Sequence, residues 1–363
     1  MDGANGIQGT HDTGSAIWSD YMQMQGNIQN PEEEVKKARK HFSKLGLMYF
    51  LGTLIIYGAQ YLIGYIVKLI KPEWLRDPNI NLTLGMASMY LVGIPILIAL
   101  VQLVPAERIE KHHLKGGHFA VAAIMSYALM IVSNMVGLVI TFVISLLKGA
   151  LVNNELVEMT DSVSLPLLFV FTVLCAPFIE EFAFRKLIVD RTIRYGQGVA
   201  VIVSGLMFGL FHGNLNQFVY AFTLGMFLAF LYCKTGKLKV TIGIHMIVNF
   251  MGTVASGMVT DLIDINELRE ALLDNDRYAM MAFYSKYYFP MILMAIFGIC
   301  VIGIAIAGLV LFIIALAKRR FTFAPGQVSI PKGKRFLTVF INVGMLLFTI
   351  FWIIQIVIQL FTI

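Results

Sequence analysis

Long apolar runs broken by short polar stretches cover the chain from residue 45 to its end. A bilayer core of about 30 Å takes roughly 20 apolar residues per helix. On that measure the pattern predicts nine spans: 45–69, 82–104, 118–147, 165–184, 198–212, 216–233, 240–259, 287–317 and 336–362. The fifth and sixth are short and separated only by His212-Gly213-Asn214-Leu215, which suits a tight hairpin or broken helices around a cavity. Residues 1–30 are polar, rich in Gly, Asn, Gln and Asp, and read as a disordered tail. With no basic opening and no short apolar core behind it, no signal peptide is expected. Asn30-Pro31-Glu32-Glu33-Glu34 reads as a helix start. The basic run over 36–44 behind it, interleaved with Val35, Ala38 and Phe42, predicts a juxtamembrane helix on the lipid surface over 31–44. The transmembrane domain then occupies 45–363, and the fold class is an all-α polytopic bundle of eight or nine spans.

Composition agrees. Of 363 residues 58% are apolar and only 14% charged, with a mean hydropathy of +0.76. Such a chain needs lipid, which excludes disordered and nucleic-acid-arm classes and argues against a water-soluble enzyme. Nucleic acid is not an expected partner; membrane lipid is. The net charge of +6 says less than its placement. With the N-terminus in the cytoplasm, the segments 36–44, 108–115, 185–194, 234–239 and 318–335 hold 21 of the 28 Lys and Arg residues, and the outside segments hold seven. That bias orients the N-terminus inside and the C-terminus outside, and fits a bacterial plasma membrane. Cys175, Cys233 and Cys300 are too widely spaced for a disulfide framework or a cysteine zinc site. No internal repeat of the transporter kind is visible.

Ionisable groups inside a lipid span cost at least ~2.5–3.5 kcal/mol each, so those present are functional candidates. They concentrate in the middle of the chain: Glu180, Glu181 and Arg185 in the fourth span, His212 closing the fifth, His245 and Asn249 in the seventh. Glu181 and Arg185 are four apart and form a natural ion pair. Glu180, rotated about 100° away, is left free to face a cavity as a general base. His245 and Asn249 share a face. Pro177, one turn before the glutamates, can kink the helix and admit water. The terminal spans lack such groups and read as a lipid-facing shell. Each feature also has a purely structural reading: a salt bridge at a helix end, an interfacial histidine, interhelical hydrogen-bond glue. Their coincidence on three nearby helices favours chemistry.

These three elements resemble the CAAX protease and bacteriocin-processing family of intramembrane proteases, the type II CAAX endopeptidases. The family pattern EExxxR, FxxxH, HxxxN stands here as Glu180-Glu181-Phe182-Ala183-Phe184-Arg185, Phe208-Gly209-Leu210-Phe211-His212 and His245-Met246-Ile247-Val248-Asn249. The resemblance covers about residues 165–255 and implies a helical bundle with a conical cavity open toward the cytoplasm. It implies that Glu180 activates water, that His212, His245 and Asn249 complete the catalytic site, and that Glu181 and Arg185 support it. The implied reaction is cleavage of a peptide bond in a hydrophobic or lipidated peptide or protein. Family members also act in bacteriocin immunity or as scaffolds, so a non-catalytic membrane protein is the first rival, and a proton-coupled transporter using Glu180 and the histidines the second. The cofactor is unknown. Zinc held by His212, His245 and Glu180 is the alternative to a metal-independent glutamate mechanism, which is preferred because a ligated glutamate is a poor base. One requirement follows from geometry. His212 closes a span that starts at the inner surface, about 20 Å from it at 1.5 Å per residue. To meet Glu180, the helix around 185–205 must project into the cytoplasm or the fifth span must tilt strongly.

Overall fold

A computed structural model describes residues 31–152, 155–273 and 276–361. The expected polar tail and Asn30 lie outside the described residues. Within them every regular element is helical, with no strand. The main helices are α1 (Pro31–Ile70), α2 (Pro78–Gln102), α3 (Gly116–Lys148), α4 (Glu155–Ser162), α5 (Leu165–Tyr195), α6 (Gln197–Phe211), α7 (Leu215–Thr235), α8 (Leu238–Thr260), α9 (Ile265–Leu273), α10 (Arg277–Ala317), α11 (Arg335–Val339) and α12 (Val343–Phe361). Among the described residues eight of these are long and apolar enough to cross a membrane: α1, α2, α3, α5, α7, α8, α10 and α12. The ninth expected span is α6, whose 15 residues reach only about 22 Å. The chain is an integral membrane protein.

The basic segment is not a separate helix lying on lipid. It is the first part of α1, which runs unbroken for 40 residues with Glu32, Glu33 and Glu34 in its first turn. No proline interrupts it after Pro31, and Ala38, Phe42 and Leu45 are buried against the bundle.

Hydrogen bonds gather the segments rich in Lys and Arg at one end of the bundle. Lys44 donates to the Leu103 carbonyl and Arg39 to that of Ile341. Backbone bonds join Glu107 to Asp190, His112 to Thr235, Gln197 to Ala324 and Val328 to Arg194. At the far end Lys148, closing α3, donates to Leu360, which closes α12. Helices α6 and α7 form a hairpin whose two outer ends meet at the basic end, where Lys234 bonds Gln197. The start of α1 and the end of α12 therefore lie at opposite ends of the molecule, although α6 is too short to span.

The terminal helices are not a lipid-facing shell. α1 and α12 cross closely, and Phe42, Leu45, Tyr49 and Ile56 form one core with Phe348 and Trp352. Small residues allow the crossing: a Cβ on Gly344 would run into the Ser43 carbonyl, and one on Gly46 would meet the Gly344 and Met345 backbone at 2.5 Å. Gly344→Val should cost about 1–3 kcal/mol of stability, read as a lower unfolding temperature of the detergent-solubilised protein. An unchanged transition would mean that α1 and α12 do not cross at this point. The helix that does lie open is α10, with Ile296, Ile299, Ile302 and Ile306 all exposed.

Candidate active site

The site begins with interruptions in α5. Between Phe169 and Cys175 the helix widens into a π turn, in which Ala176 N–H bonds the Phe171 carbonyl five residues back. The next residue, Pro177, has no N–H, so the Thr172 carbonyl five before it loses its helical donor. The Asn249 amide supplies one from α8, at 2.8 Å. A second π turn spans Phe182–Leu187. Here the Ala183 carbonyl accepts from the Tyr49 hydroxyl of α1 at 2.5 Å, and the Phe184 carbonyl from Ser204 of α6 at 2.7 Å. The backbone groups freed around the two glutamates thus become the bonds that dock three neighbouring helices onto α5.

Between these turns Glu180 and Glu181 point apart. Glu181 is fully buried, and so is Arg185, whose Nη2 lies 2.9 Å from Glu181 Oε1. The guanidinium also sits over the Phe208 ring, 4.4 Å from its centroid. His245 Nδ1 is 2.9 Å from the same Glu181 oxygen. A carboxylate paired with arginine accepts, so Nδ1 carries the proton and Nε2 is turned the other way. That nitrogen lies 3.7 Å from Glu180 Oε2. Glu180 keeps 27% of its side chain exposed, into a cavity of about 520 Å³ that His212, His245 and Asn249 also line.

Helix length brings His212 to the cavity that Glu180 lines. α5 has 31 residues, about 46 Å, with Glu180 at its midpoint. It runs on for fifteen residues to Tyr195, and α6 returns antiparallel over a similar distance, which brings His212 back to the level of Glu180. Gly213, at φ +62°, ends α6 in the left-handed conformation. Asn214 then caps α7, accepting from Gln217 N–H. His212 Nδ1 is held by the Phe208 carbonyl at 2.8 Å, leaving Nε2 as its free nitrogen.

Reading the chain for ionisable groups missed the other polar side chains around this cavity. Asn134 of α3, Gln217 and Tyr220 of α7, and Thr172 of α5 all line it. Asn134 and Gln217 are amides inside or at the edge of apolar runs, a signal that was present in the sequence. Among the described residues no three His, Cys, Asp or Glu groups gather closely enough to hold a metal ion. Both histidines engage Nδ1 and keep Nε2 for the cavity.

The fold and site define a class, a polytopic membrane protein with its polar groups buried at mid-helix around a cavity. The family follows from comparison. Residues 162–251, which contain all three motifs, match the family described as type II CAAX prenyl endopeptidase Rce1-like. The chain is 25% identical over 213 residues to the membrane-embedded CAAX protease MroQ of Staphylococcus aureus, covering 54% of this chain and 84% of that one. It is 29% identical over 90 residues to YdiL of Bacillus subtilis, covering 24% of this chain and 36% of that one. No solved structure matches. Over residues 162–251 the chain is thus similar to the type II CAAX endopeptidases, as its motifs imply.

Proposed function

We propose that the protein is an intramembrane endopeptidase that hydrolyses a peptide bond in a hydrophobic or lipidated membrane peptide, with Glu180 as general base. The observation that carries this reading is the division of labour between adjacent glutamates: Glu181 is locked to Arg185 and His245, and Glu180 alone faces the cavity. A water beside Glu180 Oε2 and His245 Nε2 reaches both at ordinary hydrogen-bond lengths of about 2.8 Å. Glu180 takes its proton, and the hydroxide adds to the scissile carbonyl. The oxyanion is met by the Asn249 amide, which has a second N–H beside the one given to the Thr172 carbonyl, while the cavity-facing Nε2 atoms of the histidines accept from water. Collapse breaks the C–N bond as Glu180 returns the proton to the leaving amine. Glu181 orients His245 through Nδ1, the role a buried carboxylate plays for a catalytic imidazole.

The membrane-protease homology of MroQ supports the same reading. Partners on this account are membrane lipid and the peptide substrate, and the basic end faces the cytoplasm. The test is reconstitution in lipid vesicles with membrane peptides extracted from cells carrying Glu180→Gln, in which uncut substrate accumulates. Cleavage by the wild-type protein that survives chelation is expected. Stoichiometric zinc, lost and restored together with activity, would make Glu180 a ligand and overturn its role as base. Specific peptide binding without any cleavage would favour a scaffold or immunity protein.

A further inference from the structure

The cavity around Glu180 runs away from the basic end. On α8 its lining begins at His245 and reaches Ser256, near the far end of that helix; on α5 it extends back from Glu180 to Phe171. No lining residue lies closer to the basic end than His245 does along α8. The expected opening toward the basic, cytoplasmic side is therefore not what the lining describes. At the far end a second cavity of about 360 Å³ lies between α1, α2 and α4, and Met86 and Met159 line both. The two spaces are neighbours separated by a pair of methionines, side chains flexible enough to move aside or close on what passes between them. Their linings differ. The inner cavity is mainly aromatic and aliphatic around its few polar groups, whereas the outer one presents the polar side chains of Gln60, Asn81 and Ser162.

We propose that the outer cavity is a substrate subsite, that it binds a polar peptide segment, and that substrate reaches Glu180 from the end opposite the basic loops, between Met86 and Met159. The name substrate rests on the peptidase reading; the route does not. Amide and hydroxyl groups suit the backbone and small polar side chains of an extended peptide. The peptide class is then an apolar stretch, seated in the inner cavity, followed by a polar stretch in the outer one. The scissile bond falls in the apolar stretch, at the Glu180 end of the inner cavity. With the positive-inside orientation, that polar stretch lies on the outer side of the membrane.

The route is tested by thiol labelling. In a background carrying Cys175→Ser, Cys233→Ser and Cys300→Ser, two single cysteines are introduced: Ala176→Cys in the inner cavity and Gln60→Cys in the outer one. A membrane-impermeant cationic methanethiosulfonate is applied to each side of vesicles of known sidedness. Both cysteines are expected to react from the side opposite the basic loops. Met159→Trp should slow labelling at Ala176→Cys at least ~10-fold, the effect of about 1.4 kcal/mol on a barrier, while Gln60→Cys reacts as before. Met86→Phe is the second plug, used where Met159→Trp lowers the yield of folded protein. Labelling of Ala176→Cys from the basic side alone, or at an unchanged rate with either plug in place, would overturn the proposal. A protein labelled as expected but without peptidase activity would retain the route and lose the peptidase reading.

Discussion

Glu180→Gln is expected to lower peptide cleavage at least ~100-fold, the low end of what a positioned general base contributes, while leaving expression and thermal stability close to wild type. Glutamine keeps the shape and a hydrogen-bonding oxygen but cannot take a proton from water. The variant should be stable because Glu180 holds no helix in place: its carboxylate faces a cavity, and its nearest ionisable neighbour is His245 Nε2 at 3.7 Å. Glu181→Gln should behave in the opposite order. That residue is fully buried with Arg185 and His245 on one of its oxygens, so losing its charge should first reduce the yield of folded protein. Equal effects of the two changes on yield would mean that the adjacent glutamates do not have separate jobs. The measurement is cleavage and thermal unfolding on the same purified samples.

Arg185→Ala should be the more damaging change to the fold. It leaves the Glu181 charge buried without its partner, a loss of about 3–5 kcal/mol, and removes the guanidinium from the Phe208 ring, where it lies 4.4 Å from the centroid. The Phe208 carbonyl also holds His212, so activity should fall together with stability. Arg185→Lys restores the charge but not the planar group over Phe208, and should recover more of the yield than of the activity. Normal yield and full cleavage in Arg185→Ala would reduce Arg185 to a residue without a structural role.

The motifs made the centre of this site legible because helix geometry is regular. A separation of four residues placed Glu181 beside Arg185 and His245 on the face of Asn249, and adjacency sent Glu180 elsewhere. What the sequence hid was where that regularity fails. The π turns around Thr172 and Ala183 have no simple composition signal, so the pairing of Asn249 with the Thr172 carbonyl was not foreseen, even though Pro177 was noticed. The return of α6 to the level of Glu180 depends on α5 continuing fifteen residues past it, and hydropathy ends that span early because Arg185, Lys186, Asp190 and Arg191 are polar. Partners within the bundle explain their presence in a helix: Arg191 donates to the Val101 and Leu187 carbonyls, and Asp190 accepts from Tyr232 and pairs with Lys186. The terminal helices were misread for a related reason. Apolar residues that face lipid and apolar residues that pack in a core look alike in sequence, and only small residues such as Gly46 and Gly344 marked the crossing.

The central claim is that water activated at Glu180 hydrolyses a peptide bond within the membrane. It is tested most directly by mass spectrometry of membrane peptides incubated with the reconstituted protein in water enriched in oxygen-18. The account predicts a new peptide C-terminus carrying one heavy oxygen atom, formed by the wild-type protein and absent with Glu180→Gln. New C-termini appearing equally in both samples, or none in either, would contradict it.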